Sequence, residues 1–167
     1  GYNRISELPI QGIKEDYMIA VTSNLPHKNA EGIIRAYERY CSKTDKPLKL
    51  RIIGIADVAQ YHLSQDVGNN IICYKYIESN EEMHHMIAAA KIFLFLSLVE
   101  GFGFPPIEAM QLGTPVVCSG VSSLPEVVGG AAILVDPCEP DEVAEALVKL
   151  QNDENKQQEL IAKGYHN

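Results

Sequence analysis

No apolar stretch in this chain approaches a membrane-spanning helix. The longest, Met86–Val99, is interrupted by Lys91, and a span takes roughly 18 or more unbroken apolar residues. Positive charge is scarce. Fourteen Lys and Arg stand against 22 Asp and Glu, for a formal net charge of −8. They form no cluster that would follow a polyphosphate backbone, so nucleic acid is not an expected partner. Low-complexity tracts are absent. Cysteine is sparse as well: Cys41, Cys73, Cys118 and Cys138 include no C-x-x-C pair. A zinc site would need closer spacing and would recruit histidine, yet His84 and His85 have no cysteine nearby. Cys73 and Cys118 lie in or beside apolar runs and read as small buried hydrophobes. Reduced, structural cysteines point to the cytoplasm. Residues 1–16 are polar, and no secretory leader is read in them.

What is present is an ordinary globular composition: 167 residues, 46% hydrophobic and 22% charged. A chain of this length buries about two-thirds of its unfolded surface and needs neither disulfide nor metal to fold. It suits one domain. Short apolar runs alternate with helix-period segments. Strands are expected at Tyr17–Thr22, Lys49–Gly54, Asn70–Tyr74, Ile92–Leu96, Thr114–Ser119 and Ala131–Val135. Between them, helices are expected at Asn29–Lys43, Asp57–Gln65, Glu81–Ala90, from Pro105 or Pro106 to Leu112, after Ser122–Pro125, and at Glu139–Asn152. In the first helix Ile33, Ile34, Tyr37, Tyr40 and Cys41 recur at helical spacing on one face. Glu139 is placed to cap the last of these helices and Pro140 suits its first turn. The polar tail after Glu154 reads as helical.

Strands without polar alternation, separated by helices, imply a parallel sheet covered on both faces. The expected fold is therefore α/β, a Rossmann-like doubly wound parallel sheet of about six strands. Ligands of such sheets sit beyond the carboxyl ends of the strands. That directs attention to loops 22–29, 54–57, 74–81, 97–106 and 119–125.

The most informative segment is Glu100-Gly101-Phe102-Gly103-Phe104-Pro105-Pro106-Ile107-Glu108. Its two glycines allow a ligand to approach the backbone closely. A proline opens the following helix, whose first amides face back into the loop and suit a phosphate or diphosphate. The segment is neither a G-x-G-x-x-G dinucleotide signature nor a P-loop with its G-K-[ST]. A carboxylate set directly against phosphate would repel it. Glu100 and Glu108 are better used as acceptors for the hydroxyls of sugars flanking a diphosphate. Taken singly, Glu108 reads equally well as a first-turn acid and Glu100 as a solvated loop charge.

The stretch from Phe93 to Val135 resembles the C-terminal domain of the retaining family 4, or group 1, glycosyltransferases of GT-B fold. Glu100 and Glu108 stand at the two positions of that family's E-x7-E signature. Ser97–Gly103, Pro106–Met110, Gly113–Val117, Ser122–Val127 and Leu134–Pro137 match its other motifs, and Pro26-His27-Lys28-Asn29 matches its first phosphate loop. The resemblance implies a domain, residues 17–152, that binds a nucleotide-sugar donor, preceded by a linker (1–16) and followed by a helical tail (153–167) cut short.

By that resemblance Glu100 and Lys28 are the catalytic pair. Glu100 lies by the donor sugar, and Lys28 neutralises the leaving diphosphate. Glu108 binds the ribose. Gly101, Phe102, Gly103 and Phe104 meet sugar and diphosphate, Tyr76 borders the base, and Ser123 and Leu124 add amides. The last two also read as plain helix capping by serine. Ser23 stands where the family often carries an arginine, so diphosphate stabilisation leans more on Lys28. No Asp-x-Asp motif occurs, and neither metal nor cofactor is implied. The implied reaction moves a sugar from a UDP-, GDP- or ADP-sugar to a hydroxyl with retention, as in surface polysaccharide or lipopolysaccharide assembly. It takes place in the cytoplasm, with the complete protein at the inner membrane face but no membrane contact from this domain. The partner implied is an N-terminal acceptor-binding domain, without which the chain is expected to be inactive. The alternatives are a 2-epimerase-like GT-B enzyme and a non-catalytic nucleotide-sugar-binding module.

Overall fold

The computed structural model describes residues 13–101 and 104–167. Six strands form one parallel sheet: β1 (Tyr17–Val21), β2 (Lys49–Ile53), β3 (Ile71–Tyr74), β4 (Ile92–Phe95), β5 (Val116–Ser119) and β6 (Ile133–Val135), in the order β3-β2-β1-β4-β5-β6. Among the described residues, seven α-helices connect and flank them: α1 (Ala30–Lys43), α2 (Gln65–Asn69), α3 (Asn80–Ala89), α4 (Phe104–Gln111), α5 (Leu124–Val128), α6 (Pro140–Gln151) and α7 (Glu154–Tyr165). The doubly wound expectation holds.

Alternation along each strand divides the core into two layers. Met18, Ala20, Leu50, Ile52, Ile92 and Leu94 pack with α1 and α6, whereas Tyr17, Ile19, Phe93, Phe95, Val116 and Cys118 pack with α3, α4 and α5. All four β4 side chains are buried, which is why this strand reads as an unbroken apolar run. Two phenols in the first layer satisfy one peptide: the Tyr37 hydroxyl donates to the Leu48 carbonyl at 2.7 Å, and the Leu48 amide donates to the Tyr40 hydroxyl at 2.7 Å. All four cysteines are free thiols, and only Cys118 is fully buried.

Several local expectations are corrected. Asp57–Gln65 is not one helix. A 3-10 turn at Ala59–Tyr61 ends at His62, which adopts the left-handed conformation, and Ser64 then caps the separate helix α2 through its hydroxyl. A serine that bonds nearby amides competes with helix propagation through it. Glu139 precedes α6 but forms no side-chain cap. Instead, the Glu142 carboxylate accepts from the Asp136 amide at 3.1 Å. The segment beyond residue 153 forms α7 and packs against α4 and α6. Leu160 joins the α1/α6 layer, and Gly164 of α7 lies against Met110 of α4, where an added Cβ would fall 3.1 Å from the Met110 Cβ. Residues 1–12 of the expected linker lie outside the described residues.

Candidate functional site

β1 and β4 are neighbours at the centre of the sheet, and the strand order runs outward from them in both directions. The chain leaves β1 and β4 toward opposite sides, so their following loops part at the carboxyl edge. This switch point is the standard ligand crevice of open α/β sheets. The loop after β1 is built tightly. Thr22 donates its hydroxyl to the Lys28 carbonyl at 2.9 Å. Pro26–Lys28 makes a 3-10 turn that ends at Asn29, with φ 60°. Gly54, at the end of β2, is obligatory: its φ is +115°, and a Cβ there would meet the Thr22 carbonyl oxygen at 1.8 Å.

Asn29 ties the site together, a role that sequence reasoning missed. Its side-chain carbonyl caps α1 by accepting from the Gly32 amide at 3.2 Å. Its side-chain amide donates to the carbonyls of Leu96 at 3.0 Å and Pro137 at 3.2 Å. The signal was present in part, because asparagine tolerates the left-handed region and caps helices well. The Leu98 amide adds a further tie to the His27 carbonyl at 2.8 Å. The loops after β1 and β4 are thus fastened to each other.

Across this junction Lys28 meets Glu100. The Lys28 ammonium donates to both carboxylate oxygens, at 3.0 and 3.1 Å, and the two side chains are only 26% and 13% exposed. Lys28 also lies 6.0 Å from the Phe95 ring centroid, close enough for a cation–π contribution. The loop after β5 reaches the same place: Ser122 and Ser123 hydroxyls bond the Glu100 backbone. Ser97 at the end of β4 is 1% exposed, and its hydroxyl finds no partner among the described residues.

Glu108 sits one turn into α4 rather than in its first turn, so the helix dipole does not account for it. Burial raises its carboxyl above the ordinary range, and His84, half-buried on α3, partly offsets this. That His84 faces Glu108 was not legible in the sequence. Gly101 is exposed, and a Cβ on it would meet nothing within 4 Å. Packing therefore does not require a glycine there.

The remaining expected residues divide. Tyr76 is 69% exposed and donates its hydroxyl to Glu78 at 3.1 Å. The Ser23 hydroxyl accepts from the Leu25 amide at 3.2 Å, within its own loop. The Leu124 side chain is fully buried and its amide donates to the Val121 carbonyl at 3.3 Å, so its side chain belongs to the core. Phe104 begins α4. Phe102 and Gly103 lie outside the described residues.

An open cavity also lies at the opposite, amino edge of the sheet, where Lys14 and Lys91 line it. Lys14 donates to the Ala88 carbonyl and the Thr114 hydroxyl, and Lys91 pairs with Asp16. Its cations are already partnered. Among the described residues no group of three or more His, Cys, Asp or Glu gathers as for a metal, and no helix is long and apolar enough to cross a membrane.

Comparison with known proteins gives a family and a fold. Residues 5–167 match the family model of the glycosyl transferases group 1. The chain is 32% identical over 154 residues to O-antigen chain mannosyltransferase B of Escherichia coli, covering 90% of this chain and 40% of that protein. Among solved structures, S. aureus TarM, crystallised with UDP, superimposes with a TM-score of 0.81 at 18% identity, over 99% of this chain and 34% of TarM. The C-terminal domain of a group 1 family glycosyl transferase protein, LpcC from Francisella tularensis, does so with a TM-score of 0.75 at 24% identity, over 92% of this chain and 85% of that one. The chain spans less than half the length of the curated relatives it matches.

Proposed function

The chain belongs to the group 1 glycosyl transferase family, and on that footing we propose that it is the donor-binding domain of a retaining glycosyltransferase. The observation that carries the reading is the meeting of Lys28 and Glu100 at the switch point of β1 and β4. In this reading the diphosphate of a nucleotide sugar lies against Lys28, the amides of Gly101, Phe102 and Gly103, and the N-terminus of α4 beginning at Phe104. A departing nucleoside diphosphate gains negative charge in the transition state, and a fixed cation with aimed amides stabilises it. Glu100 accepts hydrogen bonds from the sugar hydroxyls. Glu108, as carboxylate, accepts both hydroxyls of the ribose. Tyr76 borders the base. Ser23 lines the phosphate side.

The O-antigen mannosyltransferase among the relatives supports a mannosyl group as the sugar moved and a surface polysaccharide as the product class. Acceptor binding falls to a further domain, so this chain binds donor without transferring sugar. Calorimetric titration with GDP, UDP and ADP, and with GDP-mannose, UDP-glucose and ADP-glucose, tests the reading. Binding of at least one sugar nucleotide, weakened in Lys28→Ala and Glu108→Ala, is the expected result. If none of the six binds, the reading fails.

A further inference from the structure

Ser122 and Ser123 precede α5, where serines ordinarily cap the helix. Here neither does so: Ser123 occupies the cap position without a side-chain cap bond. Both hydroxyls are turned to another loop. Ser122 Oγ donates to the Glu100 carbonyl at 2.9 Å and accepts from the Glu100 amide at 3.3 Å. A hydroxyl with one proton and two lone pairs can do both at once. Ser123 Oγ lies 2.7 Å from the Glu100 carbonyl and 3.1 Å from that of Gly101, sharing its proton between them. Ser122 holds this position with φ +58°, a conformation that costs a non-glycine residue.

Among the described residues, no other group bonds the peptide of Glu100. Val99 before it is 61% exposed, and Gly101 after it has open space around it. The side chain, by contrast, is fastened by Lys28. We infer that Ser122 and Ser123 are positioning residues. They clamp the Glu100 peptide from the loop after β5 so that its carboxylate points into the switch-point crevice, and through it they set the preference for a sugar nucleotide over the bare nucleoside diphosphate. The inference rests on the donor-site reading above. The Lys28 ammonium leaves lone pairs on the Glu100 carboxylate for sugar hydroxyls, whereas a bare diphosphate offers Glu100 no sugar hydroxyl to accept from.

The test uses the whole chain and the probes GDP, GDP-mannose, UDP and UDP-glucose. Ser122→Gly tolerates the left-handed backbone and removes the hydroxyl together with its Cβ. Ser123→Ala removes the second, and Ser123→Thr restores it. Each deletion is expected to lower sugar-nucleotide affinity about tenfold, on the scale of a lost hydrogen bond to a charged partner. Affinity for the matching nucleoside diphosphate should stay within about twofold, and Ser123→Thr should recover the loss. Glu100→Gln should remove the same preference, with little further effect from adding Ser123→Ala, because the two act through one group. Amide hydrogen exchange at Glu100, which needs no ligand, should quicken about tenfold in both deletions. Parallel loss of sugar nucleotide and diphosphate, or unchanged exchange at Glu100, overturns the inference while leaving the donor site standing. Failure of the parent chain to bind any probe overturns the donor-site reading, and the sugar preference with it.

Discussion

Lys28 and Glu100 lie 72 positions apart in the chain and 3.0 Å apart in space, the ammonium touching both carboxylate oxygens. In the proposed donor site, diphosphate would attract the lysine and sugar hydroxyls would bond the glutamate. The pair therefore sets both charges in place ahead of the ligand, at the cost of an exchange of partners when diphosphate arrives.

A double-mutant cycle measures that arrangement. Lys28→Met and Glu100→Gln are each expected to be mildly destabilising in urea, with a coupling of about 1 kcal/mol, near the upper end for partly exposed pairs. For GDP the two should diverge. Lys28→Met should weaken binding about tenfold or more, and Glu100→Gln should leave it unchanged or strengthen it, because the lysine is released to the phosphate. Equal losses in both variants would contradict this.

Glu108 predicts opposite signs for binding and stability. Burial raises its carboxyl in the folded chain, so protonation stabilises the fold: its contribution is full below the unfolded value and is lost as pH rises through the folded one. In the proposed donor site the ribose needs the carboxylate. As pH falls through the raised value, donor affinity should drop while the Glu108 contribution to thermal stability grows. Both pH steps should vanish in Glu108→Gln, measured by titration calorimetry and differential scanning calorimetry across pH 4 to 7, a window spanning the ordinary glutamate value of about 4.3 and the region above it.

Asn29 should be costly to lose. Asn29→Ala removes a helix cap and two ties to the Leu96 and Pro137 carbonyls, and places alanine in the left-handed region. A loss of about 2–4 kcal/mol in chemical denaturation is expected, summing a cap with backbone strain and unpaired carbonyls. Asn29→Gly, which relieves the strain but still lacks the side-chain bonds, should recover only part of it.

Gly164 tests whether α7 belongs to the domain. A leucine there would collide with Met110. Gly164→Leu should cost about 1–3 kcal/mol, as overpacking does. If unfolding is unchanged, α7 is dispensable.

Tyr40→Phe leaves the buried Leu48 amide without an acceptor and Gln151 without its donor. An unpaired buried donor costs about 1–3 kcal/mol, and a shift in the denaturation midpoint without a change in slope is the expected signature.

Much of the fold was legible in the sequence because its signals are local. Buried parallel strands read as apolar runs such as Ile92–Phe95, and α1 declares itself through Ile33, Ile34, Tyr37 and Tyr40 on one face. Proline and glycine punctuation found the loop before α4. Where two local signals compete, reading one of them fails. Ser64 interrupts the helix expected through residue 65, and the serines before α5 leave their cap for Glu100.

By itself, then, the sequence determined the strand and helix pattern and the doubly wound class, and it singled out Lys28, Glu100 and Glu108 as the residues expected to meet a diphosphate flanked by sugars. Only the tertiary structure decided which of them touch. The order β3-β2-β1-β4-β5-β6 is set by burial of both sheet faces at once. It brings the ends of β1, β4 and β5 together, so that Lys28, Glu100 and the serine pair meet at one edge, and it lays α7 against α4. Contacts between residues so far apart along the chain leave no periodicity in the sequence, because they arise from packing of whole elements rather than from neighbours in the chain.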